Sequence, residues 1–220
     1  ARSLIDASDA LAALVRVRRA IPVNIGASGR FIPVEYAARY RDALGTALPV
    51  GVAEAFLAYT PDALLQLVRR WARTHGITLV GGSIVELREG REKRSNTSLV
   101  FDPQGELVAT YRKIHLFDVE VGGVVYRESE SEEPGEEAVV ADVEDWKLGL
   151  SVCYDVRFPE LYRILALDGA QVVTVPAHFT TPTGKDHWHV LLRARAIENQ
   201  LYVVAAAQIG ETLPGKPAYG

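Results

Sequence analysis

Short apolar runs alternate with stretches of helical spacing along this chain, and that alternation limits its fold more than any other feature. Residues 77–84, 95–101, 147–152, 171–175 and 201–207 read as strands bounded by turn residues. Residues 4–19, 60–74, 160–168 and 187–199 carry helical spacing. Thr60-Pro61-Asp62 opens the second of these helices, with a cap, a proline in the first helical position and an acid at the positive dipole end. His75-Gly76 stops it. Asp102-Pro-Gln-Gly105 folds strand 95–101 back onto 106–111 as a hairpin, and 138–143 pairs with 147–152. Residues 30–35 read as a strand ending on Glu35, 36–48 show no clear pattern, and 129–137 read as an acidic solvated loop. Strands interleaved with helices, plus inserted hairpins, imply an α/β class fold with a mixed sheet and helices packed on a face. No repeat or linker divides the chain, so residues 1–220 are expected to form one domain.

Composition narrows the function. Of 220 residues, 48% are apolar, enough for a large core. The net charge of −4 and the scattered basic residues argue against a nucleic-acid surface. A single cysteine excludes an internal disulfide framework and a cysteine-based zinc site. No run is apolar for long enough to cross a membrane and no signal peptide is visible, so a cytoplasmic setting is expected. The chain has no methionine, begins in a helical pattern and stops at Ala218-Tyr-Gly220. It is therefore expected to be a fragment truncated at both ends.

The lone Cys153 ends an apolar run and precedes the helix that follows Pro159. A residue at such a junction projects from the carboxyl edge of a sheet, with backbone N–H groups beside it. That setting favours a thiolate and can hold an oxyanion. A buried filler cysteine is the competing interpretation. A cysteine hydrolase also needs a base, a cation or donors for the oxyanion, and water. Glu35 is a candidate general base, desolvated so that it titrates near neutrality. Lys113, flanked by apolar residues in Tyr111-Arg-Lys-Ile-His-Leu-Phe117, is a candidate oxyanion cation. Glu128 is a candidate to orient Lys113 or the attacking water, with Glu120 and Glu130 as competitors. Of the five histidines, His187 and His189 fall on different sides of a helix, which does not make a metal site. Gly81-Gly82 lacks phosphate-loop spacing and fits a bulge or close packing.

Three segments taken in order resemble the nitrilase, or carbon–nitrogen hydrolase, superfamily. They are the strand-end acid Glu35, Tyr111-Arg-Lys113-Ile-His-Leu-Phe-Asp118 and Cys153-Tyr-Asp-Val-Arg-Phe-Pro-Glu160. Pro176-Ala-His-Phe-Thr-Thr-Pro-Thr-Gly-Lys-Asp-His-Trp188 and Leu192–Gln200 match as well, and the pattern is most similar to the Nit branch of ω-amidase and deaminated glutathione amidase. The resemblance implies a four-layer α-β-β-α sandwich, here lacking the first strand and the C-terminal strands, and a homodimer or higher homo-oligomer. It implies Cys153 as nucleophile, Glu35 as base and then acid, Lys113 and the Tyr154 N–H on the oxyanion, and Glu128 as the organising glutamate. No cofactor and no metal are implied. The acid motif departs from the family pattern: Pro33-Val34-Glu35 carries an inserted residue, and Glu54 in Ala53-Glu-Ala-Phe56 imitates the motif locally.

The implied reaction is hydrolysis of a small linear carboxylate-bearing amide by water through a thioester, with no nucleic-acid or membrane partner. An N-carbamoyl amidohydrolase using the same residues is an alternative, as is an inactive nitrilase-fold binding protein. Arg157 is chemically suited to a substrate carboxylate or to a structural ion pair.

Overall fold

Helix α1 (Ala7–Arg16) leads into strand β1 (Ala20–Ile25), which turns at Gly26 and pairs antiparallel with β2 (Ser28–Pro33). The computed structural model describes residues 7–213 and 216–219, and it divides into two units, Ala1–Thr74 and His75–Gly220. In the first unit the hairpin is followed by a 3-10 turn at Val34–Tyr36 and by α2 (Ala37–Leu44), which Gly45 ends with φ +63°. A second 3-10 turn, Glu54–Phe56, precedes α3 (Ala63–His75). Ile21, Val23, Ile32, Val34 and Ala37 form this unit's core, with Phe56 packed against it. The Asp42 carboxylate ties the loop down by accepting the Thr60 N–H at 2.8 Å and Arg41 Nε at 2.7 Å.

Two expectations shift here. The strand expected over 30–35 does not reach Glu35: it ends at Pro33, paired with β1, and Val34 and Glu35 lie in the 3-10 turn, while Pro22 hid β1 from a propensity reading. The patternless stretch 36–48 holds α2, whose packing on the hairpin core outweighs its weak periodicity. Of the helix expected over 4–19, residues 4–6 lie outside the described residues, and the remainder ends at Arg16.

The second unit begins with an antiparallel sheet of β3 (Leu79–Glu86), β4 (Ser95–Phe101) and β5 (Leu107–Arg112). Its register shifts between Val80 and Ser83, where Gly82 has φ +69°, so the glycine pair makes the expected bulge. A hairpin unseen in the sequence follows. Strands β6 (Asp118–Val121) and β7 (Val124–Arg127) turn at Gly122-Gly123, both with positive φ as a tight two-residue turn requires.

Strands β8 (Val140–Val143), β9 (Trp146–Leu150), β10 (Val172–Thr174) and β11 (Tyr202–Val204) form a mixed sheet in the order β11-β10-β9-β8. Only β8 runs antiparallel to its neighbour; β9, β10 and β11 are parallel. Parallel neighbours need crossovers, and α4 (Pro159–Leu167) and α5 (Thr181–Asn199) supply them. Helix α5 begins at Thr181 rather than at 187. It tolerates Gly184 because the Tyr219 ring lies against it; an added Cβ there would meet Tyr219 Cβ at 2.5 Å. The chain closes with β12 (Gly210–Leu213) paired to β13 (Lys216–Ala218).

One core joins these layers. Val100 and Tyr111 from the three-stranded sheet share a buried cluster with Leu148, Leu150 and Val173 of the four-stranded sheet and with Leu161, Leu165 and Trp188 of the helices. Helix pair, sheet and second sheet account for three layers of the expected sandwich within this unit.

Candidate active site

Strand β9 ends at Leu150, and Cys153 opens a 3-10 turn, Cys153–Arg157, that leads into α4 through Pro159. Cys153 has φ +50°, a left-handed backbone that costs a side-chain-bearing residue about 1 kcal/mol or more. Such a conformation persists only where its surroundings enforce it. Here the Cys153 N–H donates to Pro176 O at 2.9 Å, and the Asp155 N–H donates to Val152 O at 3.1 Å.

Asp155 is the anchor of this turn. It is fully buried, and its carboxylate accepts the Val152 N–H at 2.8 Å, the Tyr111 hydroxyl at 2.7 Å and the His115 N–H at 3.1 Å. His115 Nδ1 lies 2.8 Å from it as well. Tyr111 and His115 flank Lys113, so one carboxylate ties the lysine segment to the cysteine turn. From behind, buried Arg195 of α5 donates its Nε to Val156 O at 2.9 Å. Burial, with the Asp155 charge adding to it, holds the Tyr111 phenol far above its usual titration range, so it stays a donor.

Lys113 directly follows β5 and is only 3% exposed. Its ammonium pairs with Glu128 Oε2, and Glu128 opens the 3-10 turn after β7. Glu128 also accepts the Phe117 N–H at 2.5 Å and Asn96 Nδ2 at 3.4 Å. Burial pushes the Glu128 carboxyl up, but the Lys113 charge and these hydrogen bonds outweigh it and leave the group below its usual value. The shift is therefore a stabilising one above the ordinary carboxylate range, and it is lost as pH falls through the depressed value. Burial raises the Cys153 thiol, against the pull of Lys113, so the resting sulfur is a thiol that needs a base.

Lys113, Glu128, Cys153 and Tyr154 line one cleft of about 520 Å³ within the second unit. Glu132 and His178 line it too, and the sequence reading missed both. The acidic stretch 129–137 is not simply a solvated loop: the Glu132 N–H donates to Glu128 O at 2.9 Å, and Gly135 is pressed against the Arg112 backbone. Acidic composition masked that contact; the Pro134-Gly135 pair was its only local signal. The His178 carbonyl lies 3.7 Å from Cys153 Sγ.

Glu35 and Glu54 sit on 3-10 turns of the first unit, and both are exposed; the desolvation expected of Glu35 is not found. Glu120 and Glu130 are exposed and do not line the cleft. Arg157 stacks over Phe179 at 5.2 Å and Tyr154 at 5.7 Å, with Nη1 3.3 Å from His187 Nδ1. His187 thus meets Arg157 while His189 meets Tyr219, the divergence their spacing implies. Among the described residues, no three His, Cys, Asp or Glu side chains are grouped to hold a metal.

A mixed α/β unit with a left-handed cysteine beside a buried lysine–glutamate pair narrows the class of protein. The family model described as carbon-nitrogen hydrolase matches residues 34–219, and the chain belongs to that family. Residues 1–59 also match a model for the winged-helix domain of large helicase-related protein, so Glu35 and Glu54 fall where the two matches overlap.

Deaminated glutathione amidase of Yersinia enterocolitica is 49% identical over 150 residues, covering 67% of this chain and 52% of that protein. Omega-amidase NIT3 of Saccharomyces cerevisiae is 40% identical over 161 residues, covering 73% and 55%. A solved mutant of the amidase from Nesterenkonia sp. AN1, showing Michael addition of acrylamide at its active-site cysteine, superposes with TM-score 0.60 at 36% identity, covering 71% of this chain and 58% of that one. The chain spans about half the length of the curated relatives it matches.

Proposed function

We propose that the protein is a cysteine-dependent amidase acting on a small linear amide that carries a carboxylate. The carrying observation is Cys153, held in a left-handed turn that lines a cleft with the Lys113–Glu128 pair. Similarity to an omega-amidase and a deaminated glutathione amidase supports the substrate class. In this scheme an acid takes the thiol proton and the thiolate attacks the amide carbon. The tetrahedral oxyanion is held by Lys113 Nζ and the Tyr154 N–H. The C–N bond breaks as the acid returns its proton to nitrogen, and ammonia leaves. Water, deprotonated by the same acid, then attacks the thioester; the C–S bond breaks and the sulfur regains a proton as the carboxylic acid departs.

Removing the cation should separate binding from chemistry. Lys113→Ala is expected to lower kcat about 100-fold or more, the scale of one lost oxyanion donor, with a smaller change in KM. Ammonia release across a panel of ω-amides and N-carbamoyl compounds measures this and separates the two enzyme readings. An inactive binding protein would release none.

Glu35 is the acid of this scheme, with Glu54 as its rival. Glu35→Gln should cost at least about 100-fold in kcat while Glu54→Gln leaves turnover intact. The reverse pattern assigns the role to Glu54, and two silent variants would remove the first unit's carboxylates from the mechanism.

The lone cysteine fits a reducing cytoplasm. A homo-oligomer is supported by the exposed apolar side chains of β11 and α5, with Tyr202 69%, Ile197 76% and Val190 65% accessible. No described helix is long and apolar enough to cross a membrane.

A further inference from the structure

Glu132 is a carboxyl that the scheme above does not use, yet it lines the same cleft as Cys153. The turn places it there. Glu128 opens a 3-10 turn, and the Glu132 N–H closes onto Glu128 O, which stacks the second side chain beside the first. The chain on the other side is fixed as well: the Arg94 N–H donates to Ser131 O at 3.1 Å, and the Glu133 N–H donates to Arg94 O at 2.8 Å. Both side chains line the cleft from one turn, close enough for each carboxyl to act on the other. Two like charges so placed oppose one another, which favours one carboxyl keeping its proton. Lys113 pairs with Glu128, so Glu128 is the member held as the anion. Glu132 Oε2 is buried and receives no N–H or O–H from the protein, so no direct donor holds a charge there.

We propose that Glu132 is a positioning residue of this site, a neutral acid that donates its proton to Glu128 and whose ionisation opposes formation of the Cys153 thiolate. The charged groups facing it are Glu128 and Lys113 within the cleft and Arg94 across the backbone bridge. Burial, then the bond to Glu128 and its charge, push the Glu132 carboxyl up to about 7, while Lys113 and Arg94 pull the other way. The pair therefore titrates near neutrality as a unit. Below that point the cleft carries one carboxylate neutralised by one ammonium. Above it a second carboxylate appears, Lys113 is shared between two anions, and less of its field reaches the sulfur. The thiol is then harder to ionise, so the thiolate fraction grows with pH less steeply through that point than a lone thiol's would.

The proposal rests on Cys153 being the nucleophile and not on the identity of the amide. Its test therefore uses alkylation by iodoacetamide, followed by mass spectrometry at Cys153 across pH 5.5–9 in the full chain. For the unmodified chain, the rise of log rate with pH should flatten near pH 7 before the thiol itself titrates. Glu132→Gln keeps a neutral donor on Glu128 and should remove that flattening, so that alkylation at pH 8 runs about fivefold faster. Glu132→Leu, also uncharged, should accelerate it likewise. An unmodified chain with no break near pH 7 overturns the proposal without any variant. So does a Glu132→Gln profile that superimposes on the unmodified one, and so does acceleration by leucine alone, which would assign the effect to packing. Failure of Cys153 to alkylate at any pH would instead sink the nucleophile reading beneath it.

Discussion

Cys153→Ala should abolish amide hydrolysis, a loss of at least about 10⁴-fold, while leaving the fold in place. The size of the effect follows from covalent catalysis. Without the sulfur no thioester forms, and Lys113 and the Tyr154 N–H are left to stabilise direct attack by water. The fold should survive because alanine keeps the Cβ that packs against the core and removes only a thiol whose hydrogen bond, 3.7 Å to the His178 carbonyl, is long. The hydrogen bonds that hold the turn use the backbone of residue 153 and the side chain of Asp155, which alanine leaves untouched. Ammonia release beside far-ultraviolet circular dichroism checks both halves. An alanine variant that still turns over would refute the nucleophile, and one that fails to fold would show that the thiol packs more than its contacts indicate.

Asp155→Ala should be the most damaging change to stability, costing about 3–5 kcal/mol, the penalty typical of breaking a buried charged network. Alanine leaves the Tyr111 hydroxyl, the Val152 N–H and the His115 N–H without their acceptor in a site closed to water. A domain is usually stable by only about 5–15 kcal/mol, so the second unit would lose a large share of its margin. Urea unfolding followed by tryptophan fluorescence reads this out, Trp146 and Trp188 both lying in that unit. Turnover should fall as well, because the same carboxylate holds the lysine segment against the cysteine turn. A loss below about 1 kcal/mol would mean that water replaces the carboxylate.

Why the candidate site was partly legible in the amino-acid order can be seen residue by residue. Lys113 and Cys153 each follow an apolar strand, and a strand end directs the next side chain to the sheet edge; both reach the cleft. The hairpin β4–β5 and the strand pair β8–β9 carried their own turn chemistry and period-two patterning, so they form as expected. Glu132 was hidden because it stands in a run of acids that reads as solvated, and only pairing with Glu128 withdraws it from water. Asp155 was visible as a letter, but beyond the neighbouring Val152 its partners are Tyr111 and His115, 44 and 40 positions away. Strand β1 and hairpin β6–β7 were missed because Pro22 and Gly122-Gly123 weaken local strand signals that pairing restores.

Local order along the chain was enough to settle the mixed α/β class and the strand-to-helix junction at Cys153, since each depends on periodicity and turn residues within a few positions; the burial of Lys113 was not among them. Tertiary structure alone decided the left-handed backbone of Cys153, the anchoring by Asp155 and the placing of Glu132 in the cleft beside Glu128. Those features are energies of proximity and desolvation between groups brought together by folding, and no spacing along one segment encodes them.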